Sequence, residues 1–363
     1  MVPVMVNPTD SPDLGAPQNR ILIIRLSAIG DIVFSSPLVD ALRGRYHDAD
    51  IFWLAESPVV PLLEHHPELR EVIVWPRNEW RQLLRGGRWL ALLKEIMTFR
   101  KRLRQYRFNL VIDAQGLFKS AALAWMTGAV RRVGFGSKEP TRALLTERIE
   151  KDAGPAISSE YRAMAKHLGC QDEVFPMRVF VPPAENAWSD AFRGDVPYVA
   201  ICPFTTRPQK HWPEAHWQSL AKSLVARDWR VVVLGGPADS VSAERIFADI
   251  PVESMVGKAA LLESAALVSR ADFVIGVDTG LTHMGWTFEV PTIALFGSTC
   301  PYRDLGGLRG AVLYQNMACS PCRRKPVCGG TYDCLAGLYP DTVLKSLAGL
   351  ARDESASHSV VAS

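Results

Sequence analysis

The chain has little of what would commit it to a membrane or to nucleic acid. No apolar run approaches the roughly 18 residues needed to cross a bilayer. The N-terminus has no basic segment leading into an apolar one, so no secretory signal is read and a cytoplasmic location is expected. Formal net charge is only +3 over 363 residues, too small to argue for a nucleic-acid partner. The dinucleotide fingerprint G-x-G-x-x-G is missing after the first apolar run, which speaks against a nucleotide-sugar epimerase or dehydrogenase. There is no internal repeat strong enough to use. Low complexity is confined to the ends: residues 1–19, with Pro3, Pro8, Pro12 and Pro17, read as a disordered leader, and residues 353–363 as a disordered tail.

What is present is ordinary globular sequence, 48% hydrophobic and 22% charged, long for one core and suited to two domains. Short apolar runs alternate with helical patterns, the mark of parallel βαβ units. One set of runs covers residues 21–26, 51–55, 72–75, 110–113 and 132–135. The other covers 198–202, 231–234, 273–277 and 292–296, with amphipathic segments near 214–226 and 261–269. Between the sets lies Pro176-Met177-Arg178-Val179-Phe180-Val181-Pro182-Pro183, whose prolines make a natural linker. The expectation is an α/β chain of two doubly wound, Rossmann-like domains, 20–180 and 184–352, facing each other across a central cleft.

Three stretches carry chemistry. Gly276-Val277-Asp278-Thr279-Gly280-Leu281-Thr282-His283 follows the run Phe273-Val274-Ile275 and precedes a helical pattern. Backbone N–H groups at such a strand-to-helix turn can hold a phosphate. Gly280 lets a ligand approach the main chain, and Asp278 and Thr279 are helix-capping types, so the turn reads either as a diphosphate clamp or as a structural cap. Ser27-Ala28-Ile29-Gly30-Asp31 follows Ile21-Leu22-Ile23-Ile24. Ligands of open α/β sheets gather outside the carboxyl ends of strands, which makes Asp31 a candidate base, with helix capping as its other reading. The third stretch runs from Pro203 to Trp217, starting where a strand ends, so Thr205, Thr206 and Lys210 should reach the same edge as Asp278 and Thr279. Lys210 suits a role against charge building on a departing diphosphate. His211, Trp212 and Trp217 read as loop packing more than as ligand contacts.

In their order, Ser27-Ala28-Ile29-Gly30-Asp31, Asp113-Ala114-Gln115-Gly116-Leu117 with Lys119-Ser120-Ala121, Thr205-Thr206 with Lys210-His211-Trp212-Pro213, and Asp278-Thr279-Gly280-Leu281-Thr282-His283 resemble the bacterial lipopolysaccharide heptosyltransferases of glycosyltransferase family 9. The resemblance spans about residues 20–350 and is greatest, through Asp113 to Lys119, to the enzyme that adds the first heptose to Kdo. It implies a GT-B fold, an ADP-heptose donor held mainly by the C-terminal domain, a lipid-linked acceptor such as Kdo2-lipid A held mainly by the N-terminal one, and no cofactor or metal. It further implies inverting transfer with Asp31 as general base beside Gly30. Thr205, Thr206, Lys210, Thr279 and Gly280 resemble the diphosphate contacts, Asp278 and His283 lie in the same donor motif, and Asp239 in the turn Gly235–Asp239 suits the ribose hydroxyls.

On the acceptor side, Arg77, Lys119 and Arg142 are the candidates for acceptor carboxylates or phosphates, with Arg142 preferred over Lys138 for its bidentate fork. The segment from Arg77 to Arg107 holds eight Arg and two Lys against Glu79 and Glu95, interleaved with Trp80, Leu83, Leu84, Trp89, Leu90, Leu92 and Leu93. It fits phosphorylated lipid, an anionic membrane surface on the inner face of the inner membrane, or a plain solvated helix face. Cys319, Cys322, Cys328 and Cys334 form C-x2-C-x5-C-x5-C beside Arg323, Arg324 and Lys325. Four thiolates at such spacing can close a tetrahedral metal site, and a lineage-specific structural loop is the alternative. A similar Cys-Ser-Pro-Cys segment occurs in relatives of the second-heptose type. Second-heptose transfer, transfer from another ADP-sugar, and a non-catalytic ADP-sugar or metal sensor therefore stay open. Cys170, Cys202 and Cys300 read as reduced cytosolic thiols.

Overall fold

The computed structural model describes residues 19–152, 154–171, 174–299, 301–302, 304–322 and 325–360, with the backbone alone over 353–360. Residues 1–18 of the expected leader, residues 361–363 of the expected tail, Cys300, Arg323 and Arg324 lie outside the described residues. The last helix, Pro340–Val360, continues past the start of the expected tail. The chain divides into two compact units. One is built from the residues up to Gly154 together with Ser158–Phe180, the other from Pro155–Ile157 and the chain from Val181 onward. Pro155–Ile157 counts with the second unit through a parallel bridge from Ala156 to Asp304.

In the first unit, β1 (Arg20–Ile24), β2 (Asp50–Glu56), β3 (Leu69–Trp75), β4 (Leu110–Asp113), β5 (Arg131–Phe135) and β6 (Glu147–Ile149) form one sheet in the order β3-β2-β1-β4-β5-β6, every pair parallel. In the second, β7 (Tyr198–Cys202), β8 (Arg230–Val233), β9 (Glu253–Ser254), β10 (Phe273–Val277), β11 (Thr292–Phe296) and β12 (Gly310–Tyr314) form a parallel sheet in the order β12-β11-β10-β7-β8-β9. Counted from its own first strand, each sheet reads 3-2-1-4-5-6. The two units therefore repeat one topology that no sequence repeat betrays.

The central strands are continuous apolar runs because helices cover both faces of a parallel sheet. Leu22, Ile24, Phe52, Leu54 and Val111 centre one core, and Val199, Ile201, Val233, Ile275 and Ile293 the other. Each such side chain contributes on the order of 1.5–3 kcal/mol when fully buried. Strands β6, β9 and β12 lie at sheet edges and are partly exposed along their length; β6 and β9 are short and polar, whereas β12 carries the apolar run Ala311-Val312-Leu313-Tyr314, which the sequence reading passed over. Among the described residues no helix is long and apolar enough to cross a membrane.

Between the first and fourth strands the order in which strands are added across the sheet reverses, and the crevice outside their carboxyl ends is where ligands of open α/β sheets bind. That point lies between β1 and β4 in the first unit, paired from Ile21 with Leu110 to Ile24 with Asp113. In the second it lies between β7 and β10, paired from Val199 with Phe273 to Cys202 with Gly276. The second is tightly drawn. A Cβ on Gly276 would come within 2.1 Å of Thr282 Oγ1 and 2.8 Å of Cys202 Cβ, so only glycine lets β10, β7 and the following helix meet so closely.

Candidate active site

At the first switch point β1 runs out into Arg25, and the helix Ile29–Ser35 begins just beyond. The Arg25 guanidinium, almost wholly buried, pairs with the Asp31 carboxylate and donates to the Ala114 carbonyl at 3.1 Å. Burial works against charging Arg25, but Tyr161, Asp31 and Glu160 more than offset it, so its proton is held more firmly than usual. The Ala28 N–H donates to Asp31 Oδ2 at 3.3 Å, so the carboxylate also caps its helix. Capping and ion pairing do not exhaust it, because the Asp31 side chain remains 44% exposed. A carboxylate fixed from behind by a buried cation and open in front is placed to take a proton from a bound hydroxyl. Gly30 precedes it in the first turn of the helix.

The Asp113–Leu117 segment braces this arrangement. Asp113 Oδ1 accepts the N–H groups of Gln115 and Gly116 at 3.0 and 3.1 Å, and Gln115 Oε1 accepts the Leu26 N–H at 3.0 Å. Burial pushes the Asp113 carboxyl up against the lowering effect of Ser120 and those amides. This motif therefore ties the loop after β4 to the loop after β1.

Farther along the same carboxyl edge, β2 ends at Glu56 and β3 at Trp75. Glu56 gathers two of the expected acceptor residues: Arg77 Nη1 lies 2.7 Å from its Oε2 and Lys119 Nζ 3.3 Å from its Oε1. The Lys119 ammonium also sits 5.6 Å from the centre of the Trp75 ring. Two cations, one carboxylate and an indole form a net-positive corner suited to an acidic sugar. Neither Glu56 nor Trp75 was singled out from the sequence, since a Glu ending an apolar strand carries no motif. Arg142 is exposed in the loop between β5 and β6, and among the described residues no hydrogen bond or ion pair joins it to this corner.

The second switch point is a closed network. Asp278, just after β10, receives Lys210 Nζ at 2.5 Å and the Thr299 hydroxyl at 2.6 Å on Oδ2, and His283 Nε2 lies 3.0 Å from Oδ1. The Lys210 and Asp278 side chains are only 17% and 13% exposed. Burial alone would raise the Asp278 carboxyl, yet His283 and Lys210 together hold it far below the usual carboxylate range. The helix Gly280–Thr287 starts directly beyond, and its N-cap Thr279 places no side-chain hydrogen bond on the first turn. Its leading N–H groups and the positive end of its dipole therefore suit a phosphate. Thr205 is half buried and Thr206 exposed in the loop that carries Lys210, and Thr205 offers its carbonyl to His211 Nε2 at 2.8 Å.

Asp239 lies one strand over, beyond β8, where its Oδ2 accepts the Gly236 N–H at 2.9 Å. One carboxylate oxygen thus closes the turn and the other is left for a hydroxyl. Trp212 and Trp217 pack the loop: both are fully buried, their ring centres 4.8 Å apart edge to face, and Trp212 Nε1 donates to the Leu338 carbonyl at 2.7 Å.

The sequence matches glycosyltransferase family 9 (heptosyltransferase) over residues 96–331, well over half of the chain. The chain belongs to this family. It is 30% identical over 318 residues to lipopolysaccharide heptosyltransferase 1 of Pseudomonas aeruginosa, covering 84% of this chain and 86% of that one. In three dimensions it is similar to the family 9 glycosyl transferase of Veillonella parvula, with a TM-score of 0.75 and 19% identity over 92% of this chain and 97% of that one. It is also similar to Escherichia coli heptosyltransferase WaaC with ADP, with a TM-score of 0.68 and 25% identity over 91% of this chain and 99% of that one. The fold is accordingly GT-B, as the motifs led one to expect, and the chain is a glycosyltransferase.

Among the described residues, no three of His, Cys, Asp or Glu come together in an arrangement that could hold a metal. Cys319, Cys322 and Cys328 are half exposed free thiols, and Cys334 is buried against Gly297. Backbone N–H groups of Tyr332 and Gly330 lower the Cys328 thiol, while burial, with the neighbouring thiols, raises Cys334. What sequence reasoning missed is the supporting layer: Arg25, Glu56, Trp75 and Thr299. Of these only Arg25, charged at the end of an otherwise unbroken apolar strand, left a signal that could have been followed.

Proposed function

We propose that this chain transfers heptose from ADP-heptose to the Kdo of the lipopolysaccharide inner core, by an inverting reaction without a metal ion. The first unit holds the lipid-linked acceptor and the second the donor. Asp31, anchored by Arg25, takes the proton from the acceptor hydroxyl. That oxygen attacks the anomeric carbon on the face opposite the diphosphate, the carbon–oxygen bond to the diphosphate breaks, and ADP leaves carrying the bonding pair. Inversion asks for one base and for charge stabilisation at the leaving group, and each switch point offers one of these.

Lys210 keeps two of its three N–H donors beyond the one given to Asp278, and these face the departing diphosphate together with the Thr205 and Thr206 hydroxyls and the amides of Thr279 and Gly280. Asp278, with His283, fixes where that ammonium points. Asp239 meets the ribose. Arg77, Lys119 and Arg142 bind acceptor carboxylate or phosphate groups. An acceptor carried on lipid has to be met at the surface of the membrane that holds it, which gives the enzyme a peripheral place on the inner membrane.

The observation that carries the reading is the Arg25–Asp31 pair at one switch point and the Lys210–Asp278–His283 network at the other, in a member of the heptosyltransferase family. The likeness to heptosyltransferase 1 favours Kdo as acceptor. The cysteine segment favours the second-heptose reaction instead. Incubation with ADP-heptose and, in parallel, Kdo2-lipid A or heptosyl-Kdo2-lipid A, with and without chelator, separates them by product mass. Product on Kdo2-lipid A, undiminished by chelator, is expected. Product only on the heptosylated acceptor would shift the assignment, and none on either would refute it.

A further inference from the structure

The first unit carries a surface that neither the core nor the site uses. The helix Trp89–Gln105 has two apolar stripes. Leu92, Ile96, Phe99 and Leu103 turn inward, with Phe99 and Leu103 buried in the core. Trp89, Leu93 and Met97 recur every fourth residue and, with Leu90, form a second stripe roughly a quarter turn away, at 100° per residue. That second stripe faces solvent: Leu90 is 86% exposed, Trp89 63%, Leu93 57% and Met97 51%. Leu84, on the preceding helix Arg77–Arg85, is 44% exposed and joins it across a short glycine turn. A helix of a water-soluble unit needs one apolar stripe to dock on its core, and a second, contiguous one marks a surface of contact.

Charge says what kind of contact. Arg81, Arg85, Arg88, Lys94 and Lys101 surround the stripe, all exposed, and among the described residues none makes an ion pair. Arginines of the same two helices that lie off this face do pair, Arg77 with Glu56 and Arg102 with Glu71. Glu95 is the one acid within the second helix. Unpaired cations flanking exposed Trp and Leu match a layer whose outer face is anionic and whose interior is apolar.

We propose that the outward face of the helices Arg77–Arg85 and Trp89–Gln105 is the surface by which the enzyme lies on an anionic phospholipid bilayer, with Trp89, Leu90, Leu93 and Met97 entering the interface and the flanking Arg and Lys meeting the headgroups. The inference deepens, and rests on, the lipid-linked acceptor proposed above. Arg77, in the acceptor corner, opens the helix whose other end reaches this face at Leu84 and Arg85. Eight residues of helical rise separate Arg77 from Arg85, about 12 Å. The enzyme would thus meet its acceptor at the membrane edge of the unit that binds it.

The test is co-sedimentation of the full chain with vesicles of phosphatidylethanolamine and phosphatidylglycerol, against vesicles of phosphatidylcholine alone, both without lipopolysaccharide. The wild type should pellet with the first and not the second, and high salt should release it. Leu90→Glu with Leu93→Glu, and separately Arg81→Ser with Arg85→Ser and Arg88→Ser, should each weaken binding about tenfold or more. All five positions are exposed, so thermal melting should be unchanged in both variants. Wild-type binding retained by both variants overturns the proposal, as does binding that appears only when lipid A is added. A change in solution mass for the Leu90→Glu variant with vesicle binding intact would assign the face to a second copy of the chain and equally overturn it. Transfer to acceptor in detergent micelles, measured on the same proteins, tests the proposed function separately: both variants should transfer as well as wild type there.

Discussion

The two switch points have the same strand order and opposite constructions. At the first, the carboxylate of Asp31 is nearly half exposed and its charged partner, Arg25, is buried behind it. At the second, Asp278 is buried and spends its oxygens on Lys210, Thr299 and His283, while the helix N-terminus beside it stays uncapped. The difference matches the two tasks of the proposed reaction. A base must leave an oxygen open to a hydroxyl that arrives with the acceptor. A leaving-group site does better with donors already oriented before the charge develops, since they then need no reorganisation during reaction. In the proposed reaction the anion acts in the first unit with the cation behind it, and in the second the roles are exchanged.

Breaking the first switch point should have the largest effect on turnover. Asp31→Ala is expected to lower kcat by about 10²–10⁴ while leaving ADP binding, measured by calorimetry, unchanged. Near-normal turnover would remove Asp31 from the mechanism. Lys210→Ala should lower kcat by about 10²–10³ and weaken ADP binding as well. Each substitution removes the partner of a buried charge, Lys210 from Asp278 and Asp31 from Arg25, so each should also cost stability in denaturant melts, up to about 3–5 kcal/mol.

A gentler probe is acid. A carboxylate held below its unfolded value of about 3.9 adds stability that is complete above that pH and disappears as pH falls through the lower folded value. The melting-temperature gap between wild type and Asp278→Asn should therefore shrink as pH falls below about pH 4. Smaller still, Arg77→Ala should raise the acceptor KM about tenfold with kcat little changed, as expected for lost uniform binding. Arg142→Ala, exposed and outside the Glu56 corner, should alter melting by no more than about 0.5 kcal/mol, so any acceptor effect it shows would be one of binding alone.

The central strands were legible because burial on both faces writes itself as an unbroken run: Tyr198–Cys202, Phe273–Val277 and Thr292–Phe296 appear in the structure at the positions read from sequence. Glu147–Ile149 and Glu253–Ser254 were not, since a short, partly exposed edge strand is held by main-chain pairing that any residues can supply; Gly310–Tyr314, apolar from Ala311 to Tyr314, carried the signal and was passed over. Asp31, Lys210, Asp278 and Thr279 were visible as residues of reactive type at strand ends. Their partners were not: Arg25 read as an interruption in a strand, Glu56 as a polar strand end, and Thr299 as loop.

By itself the sequence determined the fold class, the family and the strand ends at which chemistry could sit, because apolar periodicity and the glycine-bearing turns are local properties of the chain. Only the tertiary structure decided that both halves share one strand order, that Glu56 draws Arg77 and Lys119 together across 21 and 63 residues of sequence, and that Asp31 is open while Asp278 is closed. Pairings over such separations are chosen by which strands lie side by side. Exposure is settled only when the sheet and its helices have packed, and no run of neighbouring residues encodes either.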